Sequence, residues 1–368
     1  MIVTIFWLCL VGATYSYFWY PSILMILPHR KNPPAEPTPV RKVALVIAAR
    51  NEATKIAEKL DNTLGLEPAG MELDVMVASD ACDDATDSIV RSYVSKGIRL
   101  VRSPIRNGKE YAQGLAIATT DAGTILPKDA LIHLLDAFRD PKVGAVSSVD
   151  RFISADGTLQ GEGAYVRYEM WLRDLETRFH SLVGLSGSFF AARNSVCERW
   201  DNRVPSDFGT ALSCAELGLQ AVSDRRVIGY YKNIADSRKE YQRKVRTVTR
   251  GMSALRVRAG VLNPARYGRF SFEVFSHKLM RWATPWFLVV ALCANVPLAF
   301  ESPTYRVLFT AQLALYLAPA ACRIAPALRR IGLVRIATYF VDVNVAILHA
   351  TVLALSGRTI PTWEPSKR

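Results

Sequence analysis

The stretch 114–126, GLAIATTDAGTIL, decides the fold. Its β-branched part, IATTDAGTI at 117–125, suits a buried strand that delivers Asp121 to a turn. The spacing of Tyr111, Leu115 and Ala118 instead fits one face of a helix over 110–119. Only twelve steps separate Lys109 from Asp121. A three-turn helix takes about 11 residues and a strand about 5 more, so the interval cannot hold both at full length. A short helix followed by a strand is the favoured reading, because loss of a central strand would open the core of the sheet.

The flanking sequence is periodic. KVALVIAAR (42–50), LDVMVASD (73–80) and IRLVRS (98–103) read as strands. EATKIAEKLDNTL (52–64) and DATDSIVRSYVSKG (84–97) read as helices between them. Such alternation predicts an α/β domain with a mostly parallel sheet and crossover helices. In these folds ligands bind outside the carboxyl ends of the strands. Glu52 follows the first strand, although it reads equally well as a charge favoured by a helix N-terminus. Asp80 ends the second strand, where a carboxylate can accept the imino proton of a nucleobase, whereas Asp83 and Asp84 also suit N-caps. Gly108 and Lys109 open a helix, bringing free backbone N–H groups and an ammonium together as a phosphate requires.

Composition points to a membrane. The 368 residues carry a formal charge of +13 with 50% hydrophobic content. That pairing suits basic faces next to anionic lipid or phosphate. The cations adjoin long apolar runs and no nucleic-acid motif is present, so nucleic acid is not expected as a partner. Residues 2–27 are uncharged and long enough to span a bilayer. No basic residue precedes them and no small-residue cleavage site ends them, so an uncleaved anchor is expected over 1–28. His29, Arg30, Lys31, Arg41 and Lys42 then place the following segment in the cytoplasm. The proline-rich stretch within 29–41 reads as a stiff linker.

The α/β domain is expected over 42–262 and an aromatic, cationic interfacial segment over 263–281. A membrane region of up to three helices over 282–355 follows, with apolar runs at 282–300, 304–322 and 336–355, and then a basic tail at 356–368. Arg323, Arg329, Arg330 and Arg335 mark the loop between the last two runs as cytoplasmic. The last run carries Asp342 and His349, which are costly in lipid. Four spans would put the tail WEPSKR outside, but its charge argues for inside, so the last run is read as interfacial or re-entrant. The six cysteines show no CxxC pair, and neither a disulfide framework nor a cysteine metal site is expected. His180 and His277 have no partner at ligand spacing.

Taken in order, these pieces resemble the processive-type, membrane-bound glycosyltransferases of family 2, which include hyaluronan, cellulose, poly-N-acetylglucosamine and exopolysaccharide synthases. The NE-type turn is matched by Arg50, Asn51 and Glu52, and the DDGSTDGT-like turn by SDACDDAT, with Asp80, Asp84 and Thr86. Gly108 and Lys109 match the glycine-lysine turn, and DAGT at Asp121 the metal turn, with Gly123 where many relatives carry a second Asp or Asn. LSGSFFAARNSV (185–196) matches an acceptor loop with Gly187, Ser188 and a closing Arg193. PSDFGTALSCAELGLQAV matches the segment of the catalytic base, Asp207. RKVRTVTRG takes the place of the QxxRW motif, with Arg243 at Gln, Arg246 at Arg and Thr247 at Trp.

The resemblance implies a GT-A fold (Rossmann-like, mostly parallel) joined to transmembrane helices. It implies an inverting transfer from a nucleotide sugar, usually a UDP-sugar, to a growing polysaccharide or lipid-linked glycan. The setting it implies is the cytoplasmic face of a bacterial plasma membrane. Glu52 and Asp80 would hold base and ribose, and Lys109, Arg243 and Arg246 the diphosphate. Asp121 would be the protein ligand of Mg2+ or Mn2+, and Asp207 would take the proton from the acceptor hydroxyl. The short Lys109–Asp121 interval keeps a second reading in view, a catalytically inactive membrane-anchored relative serving as a partner or scaffold. A nucleotidyltransferase of similar fold is a third, against which SGSFFAAR and Asp207 speak.

Overall fold

A computed structural model describes residues 1–30, 42–67, 70–114, 119–121, 125–153, 164–232 and 237–356. Among these, the chain divides into two compact units. One comprises Pro28–Ala235 and Ala254–Ser271, the other Met1–Leu27, Asp236–Ser253 and Phe272–Ile360.

The first unit is built on a seven-stranded sheet. Its strands are β1 (Lys42–Ala49), β2 (Glu72–Ser79), β3 (Ile98–Arg102), β4 (Thr119–Asp121), β5 (Val143–Ile153), β6 (Phe189–Ala192) and β7 (Gln220–Lys232). They lie in the order β3-β2-β1-β4-β6-β5-β7. Every neighbouring pair is parallel except those of β6, which runs antiparallel to β4 and β5. Both β1 and β2 begin exposed and are fully buried over their last five residues, so their carboxyl ends are anchored in core. On one side Ile47, Ala49, Val75 and Val77 pack with Ile56 and Leu60 of the helix Ile56–Leu64. A second core gathers Leu45, Val146 and Phe189 around Leu131 and Leu134 of the helix Ala130–Ala137.

The stretch 114–126 resolves in favour of the strand. Among the described residues a helix, Lys109–Gly114, follows Gly108, and β4 holds Thr119–Asp121. β4 pairs Ile47 with Thr120 and Ala48 with Asp121 on one side, and Thr119 with Phe190 and Thr120 with Phe189 on the other. β4 therefore joins β1 to β6 in the middle of the sheet.

The second unit contains four helices long and apolar enough to cross a membrane, Ile2–Ile26, Arg269–Glu301, Pro303–Ile324 and Gly332–Leu355. Phe6 and Cys9 of the first pack with Ala291 and Leu298 of the second. Gly12 allows this approach, because a Cβ there would stand 2.8 Å from the Phe287 ring. Both helices contain a π-helical turn, at Tyr15–Trp19 and Phe275–Leu279. The turns are joined by Tyr15 Oη and Ser276 Oγ at 3.1 Å. Residues 269–281, expected as a separate interfacial segment, are continuous with the span that follows. Residues 236–253, expected in the α/β domain, group instead with the membrane helices. The reason is packing: Val245, on the helix Ser237–Val257, buries itself against Ala346 and Ala350. All six cysteines are free thiols.

Candidate active site

The carboxyl ends of β1 and β2 are tied to each other by Arg50, which is buried. Its Nη1 donates to the carbonyls of Asp80, at 3.1 Å, and Ala81, and its Nη2 donates to Asp83 at 3.0 Å. Asn51 completes the clasp: its Nδ2 donates to Asp83, whose own N–H returns a bond to Asn51 Oδ1 at 3.1 Å. The closeness of the two turns forces Asn51 and Ala81 into the left-handed region, at φ 52° and 50°. Glu52 is buried, its N–H donating to Thr86 Oγ1 at 2.9 Å and its carboxylate 3.8 Å from Lys55 Nζ.

These turns stay negatively charged. The Asn51 amide first, then the Arg50 charge, outweigh burial and hold the Asp83 carboxyl below the usual carboxylate range. Burial works to raise the Asp84 carboxyl, but hydrogen bonds from Thr86 and Ala53 outweigh it and hold that group low as well.

Asp80 is 1% exposed. Its Oδ1 accepts from the N–H groups of Asn107 and Gly108 at 3.0 and 3.1 Å, while Oδ2 is buried with no hydrogen-bond partner. Asp80 therefore fixes the turn that starts the helix Lys109–Gly114, and Gly108 there adopts φ 93°, which favours glycine. Lys109, also buried, crosses to the 185–188 loop and donates from Nζ to the Gly187 carbonyl at 3.1 Å.

Because β6 runs antiparallel, its amino end lies at the same sheet edge as the carboxyl end of β4. That topology brings Gly187 and Ser188 to the edge that carries Glu52 and Asp80. Asp207 joins them from the first turn of the helix Ser206–Glu216. Its carbonyl accepts from Leu185 N–H at 3.2 Å, and its Oδ1 accepts from Phe208 N–H at 2.8 Å. A Cβ built on Gly187 would stand 3.7 Å from Asp207 Oδ2, so the carboxylate lies beside this glycine. The N-cap of this helix is Pro205, without a side-chain cap, and Asp207 serves the first-turn N–H of Phe208 through Oδ1 while Oδ2 lies on the Gly187 side.

Glu52, Asp80, Lys109, Gly187, Ser188 and Asp207 thus belong to one edge of one sheet. The backbone of Asp121 ends β4 at that edge, while its side chain and the turn 122–124 lie outside the described residues. Among the described residues no three His, Cys, Asp or Glu side chains are grouped to hold a metal. Arg193 stands elsewhere and corrects the expectation for it. It follows the far end of β6, where Nε donates to the Val143 carbonyl at 2.6 Å and Nη2 to Phe138 and Asp140 carbonyls at 2.8 and 3.1 Å. Its guanidinium lies against the Phe138 ring, so it serves as a clasp of the sheet. Arg243 and Arg246 belong to the other unit, on the helix Ser237–Val257, and Arg243 is bonded to Glu240 at 2.7 and 2.8 Å. The clasp that Arg50 forms between the turns and the place of Asp150 are not evident from the sequence.

Residues 44–200 match the model of glycosyl transferase family 2. The β-monoglucosyldiacylglycerol synthase of Trichormus variabilis is 25% identical over 182 residues, 45% of this chain and 39% of its own length. The probable glycosyltransferase YdaM of Bacillus subtilis is 26% identical over 183 residues, 44% of this chain and 44% of its own. The chain spans about two-fifths of the length of these curated relatives. Among solved structures, the mannosyltransferase PcManGT of Pyrobaculum calidifontis, in complex with GDP-Man and Mn2+, superposes with a TM-score of 0.72. It is 23% identical, and the match covers 96% of this chain and 99% of that one. The likeness confirms the expected fold, a GT-A-type α/β domain together with membrane-type helices.

Proposed function

We propose that this chain is an inverting glycosyltransferase that moves a sugar from a UDP-sugar to a lipid or lipid-linked acceptor at the cytoplasmic face of a bacterial plasma membrane. One observation carries the reading: Glu52, Asp80, Lys109, Gly187 and Asp207 share one sheet edge, and all but Asp207 lie in the stretch that matches the family 2 model. The unpartnered Oδ2 of Asp80 supports uridine, whose base offers a single imino N–H, where guanine offers two adjacent donors. The Lys109 ammonium supplies positive charge for the diphosphate. Mg2+ or Mn2+ held by Asp121 would supply further charge to the leaving group. Asp207 accepts the proton of the acceptor hydroxyl as its oxygen attacks the anomeric carbon, and the nucleoside diphosphate leaves from the opposite face. One base and no covalent intermediate suffice, hence inversion. The four apolar helices and the diacylglycerol named in two relatives support a lipid acceptor over a soluble one.

The test is incubation of the purified protein in lipid vesicles with labelled UDP-sugars, diacylglycerol and Mn2+. Transfer should release UDP, and Asp207→Asn should lower it by about 10²–10⁴-fold while UDP binding persists. Absence of metal-dependent transfer or hydrolysis with every nucleotide sugar would overturn the proposal. The short interval from Lys109 to Asp121 favours one rival, an inactive scaffold, which predicts UDP binding with no turnover.

A further inference from the structure

β5 breaks its register with β7 between Ser147, which pairs with Ser223, and Val149, which pairs with Ile228. In a regular strand residues 147 and 150 would point to opposite faces. The irregularity lets both reach the same loop, which is how breaks in pairing re-aim side chains beside active sites. Ser147 Oγ accepts from Ser186 N–H at 2.7 Å and from Arg173 Nη2 at 2.5 Å. Asp150 takes the hydroxyls. Ser186 Oγ lies 2.6 and 2.5 Å from its two oxygens, Ser148 Oγ lies 3.1 Å from Oδ1, and Ser188 Oγ donates to Oδ1 as well.

Ser186 and Ser188 flank Gly187, the residue whose carbonyl receives Lys109 and whose Cα faces Asp207. The turns around Glu52 and Asp80 are held by other bonds, from Arg50, Asn51, Thr86 and the 107–108 amides. Loss of the Asp150 contacts therefore removes the side-chain anchors of the 185–188 loop, whose backbone stays held by Ser147, Asp207 and Lys109, and leaves the bonds of the nucleoside end in place.

We propose that Asp150 is a positioning residue for sugar transfer: through Ser186 and Ser188 it fixes the loop that aligns Asp207 and the acceptor hydroxyl. This rests on the transferase reading above. The experiment compares the wild type, Asp150→Asn, the double variant Ser186→Ala/Ser188→Ala, and the triple combination. Each full-length protein is placed in vesicles of phosphatidylglycerol and diacylglycerol with labelled UDP-glucose. Asp150→Asn and the double variant should each lower kcat for transfer about tenfold or more, with the dissociation constant for UDP unchanged. The triple variant should be no slower than either, because all three side chains act through one loop. A role in stability alone would lower melting temperature and UDP binding together, and that result overturns the proposal. So does wild-type kcat in Asp150→Asn, or losses that multiply in the triple variant. A wild type that turns over no UDP-sugar instead overturns the transferase reading, and this inference falls with it.

Discussion

Ala81 takes the place of a glycine in the turn pattern that the chain resembles, yet it keeps the glycine conformation at φ 50°. A side chain held there costs of order 1–2 kcal/mol, and glycine returns part of that gain through the freedom of the unfolded chain. Ala81→Gly should therefore stabilise the protein by about 0.5–1 kcal/mol, read as a rise in melting temperature. The bond from Arg50 to the residue 81 carbonyl survives the change, so an unchanged or lower melting temperature would show that the turn is not strained. His180 makes a second case at this scale. Burial, then the charges of Arg269 and Arg30, lower its pKa from 6.5 to about 4. Above pH 6.5 the imidazole is neutral in both folded and unfolded chains. Between 6.5 and 4 only the unfolded chain takes up the proton, so stability drains away as pH falls through that window and levels off below it. The full window is worth roughly 3 kcal/mol at most. Melting temperatures at pH 7.5 and 5 should diverge in the wild type and diverge less in His180→Asn.

At the scale of elements, the helix that carries Asp207 lies against β5 through Gly144. A Cβ there would meet Leu219 Cβ at 2.8 Å and Cys214 Sγ at 2.9 Å, both backed by core. Gly144→Ala should push the helix Ser206–Glu216 off the sheet at a cost of about 1–3 kcal/mol, measurable by denaturant titration. A variant as stable as the wild type would mean that the contact yields easily. Which elements were legible follows from how local their signals are. β1, β2 and β3 fall within one residue of the strands read from KVALVIAAR, LDVMVASD and IRLVRS, because each is an apolar run with turn residues behind it. β4 was legible only as a conflict, since its pairing with β1 and β6 overrides a helical spacing that Leu115 and Ala118 also satisfy. Asp150 was not legible: its reach depends on a register break set by partners on β7, some 75 residues away. Arg193 misled for a similar reason. Its position in the loop pattern is local, but the carbonyls it clasps belong to residues 138–143.

For the whole molecule, four helices qualify as spans by length and composition, and the fourth carries evidence against crossing. The helix Ser237–Val257 bears seven cations and one acid, which no hydrocarbon layer accepts at about 2.5–3.5 kcal/mol per buried charge. Yet this helix packs along Gly332–Leu355. Val245 meets Ala346 and Ala350, Tyr241 Oη lies 3.2 Å from His349 Nδ1, and Lys244 sits 4.1 Å above the Tyr339 ring. Asp342 and His349 are exposed. A face covered by so charged a helix lies at headgroup depth, while Leu333, Ile336, Val345, Val352 and Leu355 remain exposed to meet lipid. If Gly332–Leu355 does not cross, the tail is expected on the same side as the basic loop at 323–335, which its arginines predict to be cytoplasmic. A fluorescent protein fused after Arg368 should fluoresce, and an alkaline phosphatase fused there should be silent. An active phosphatase would mean that Gly332–Leu355 crosses and draws Asp342 and His349 through the bilayer with it.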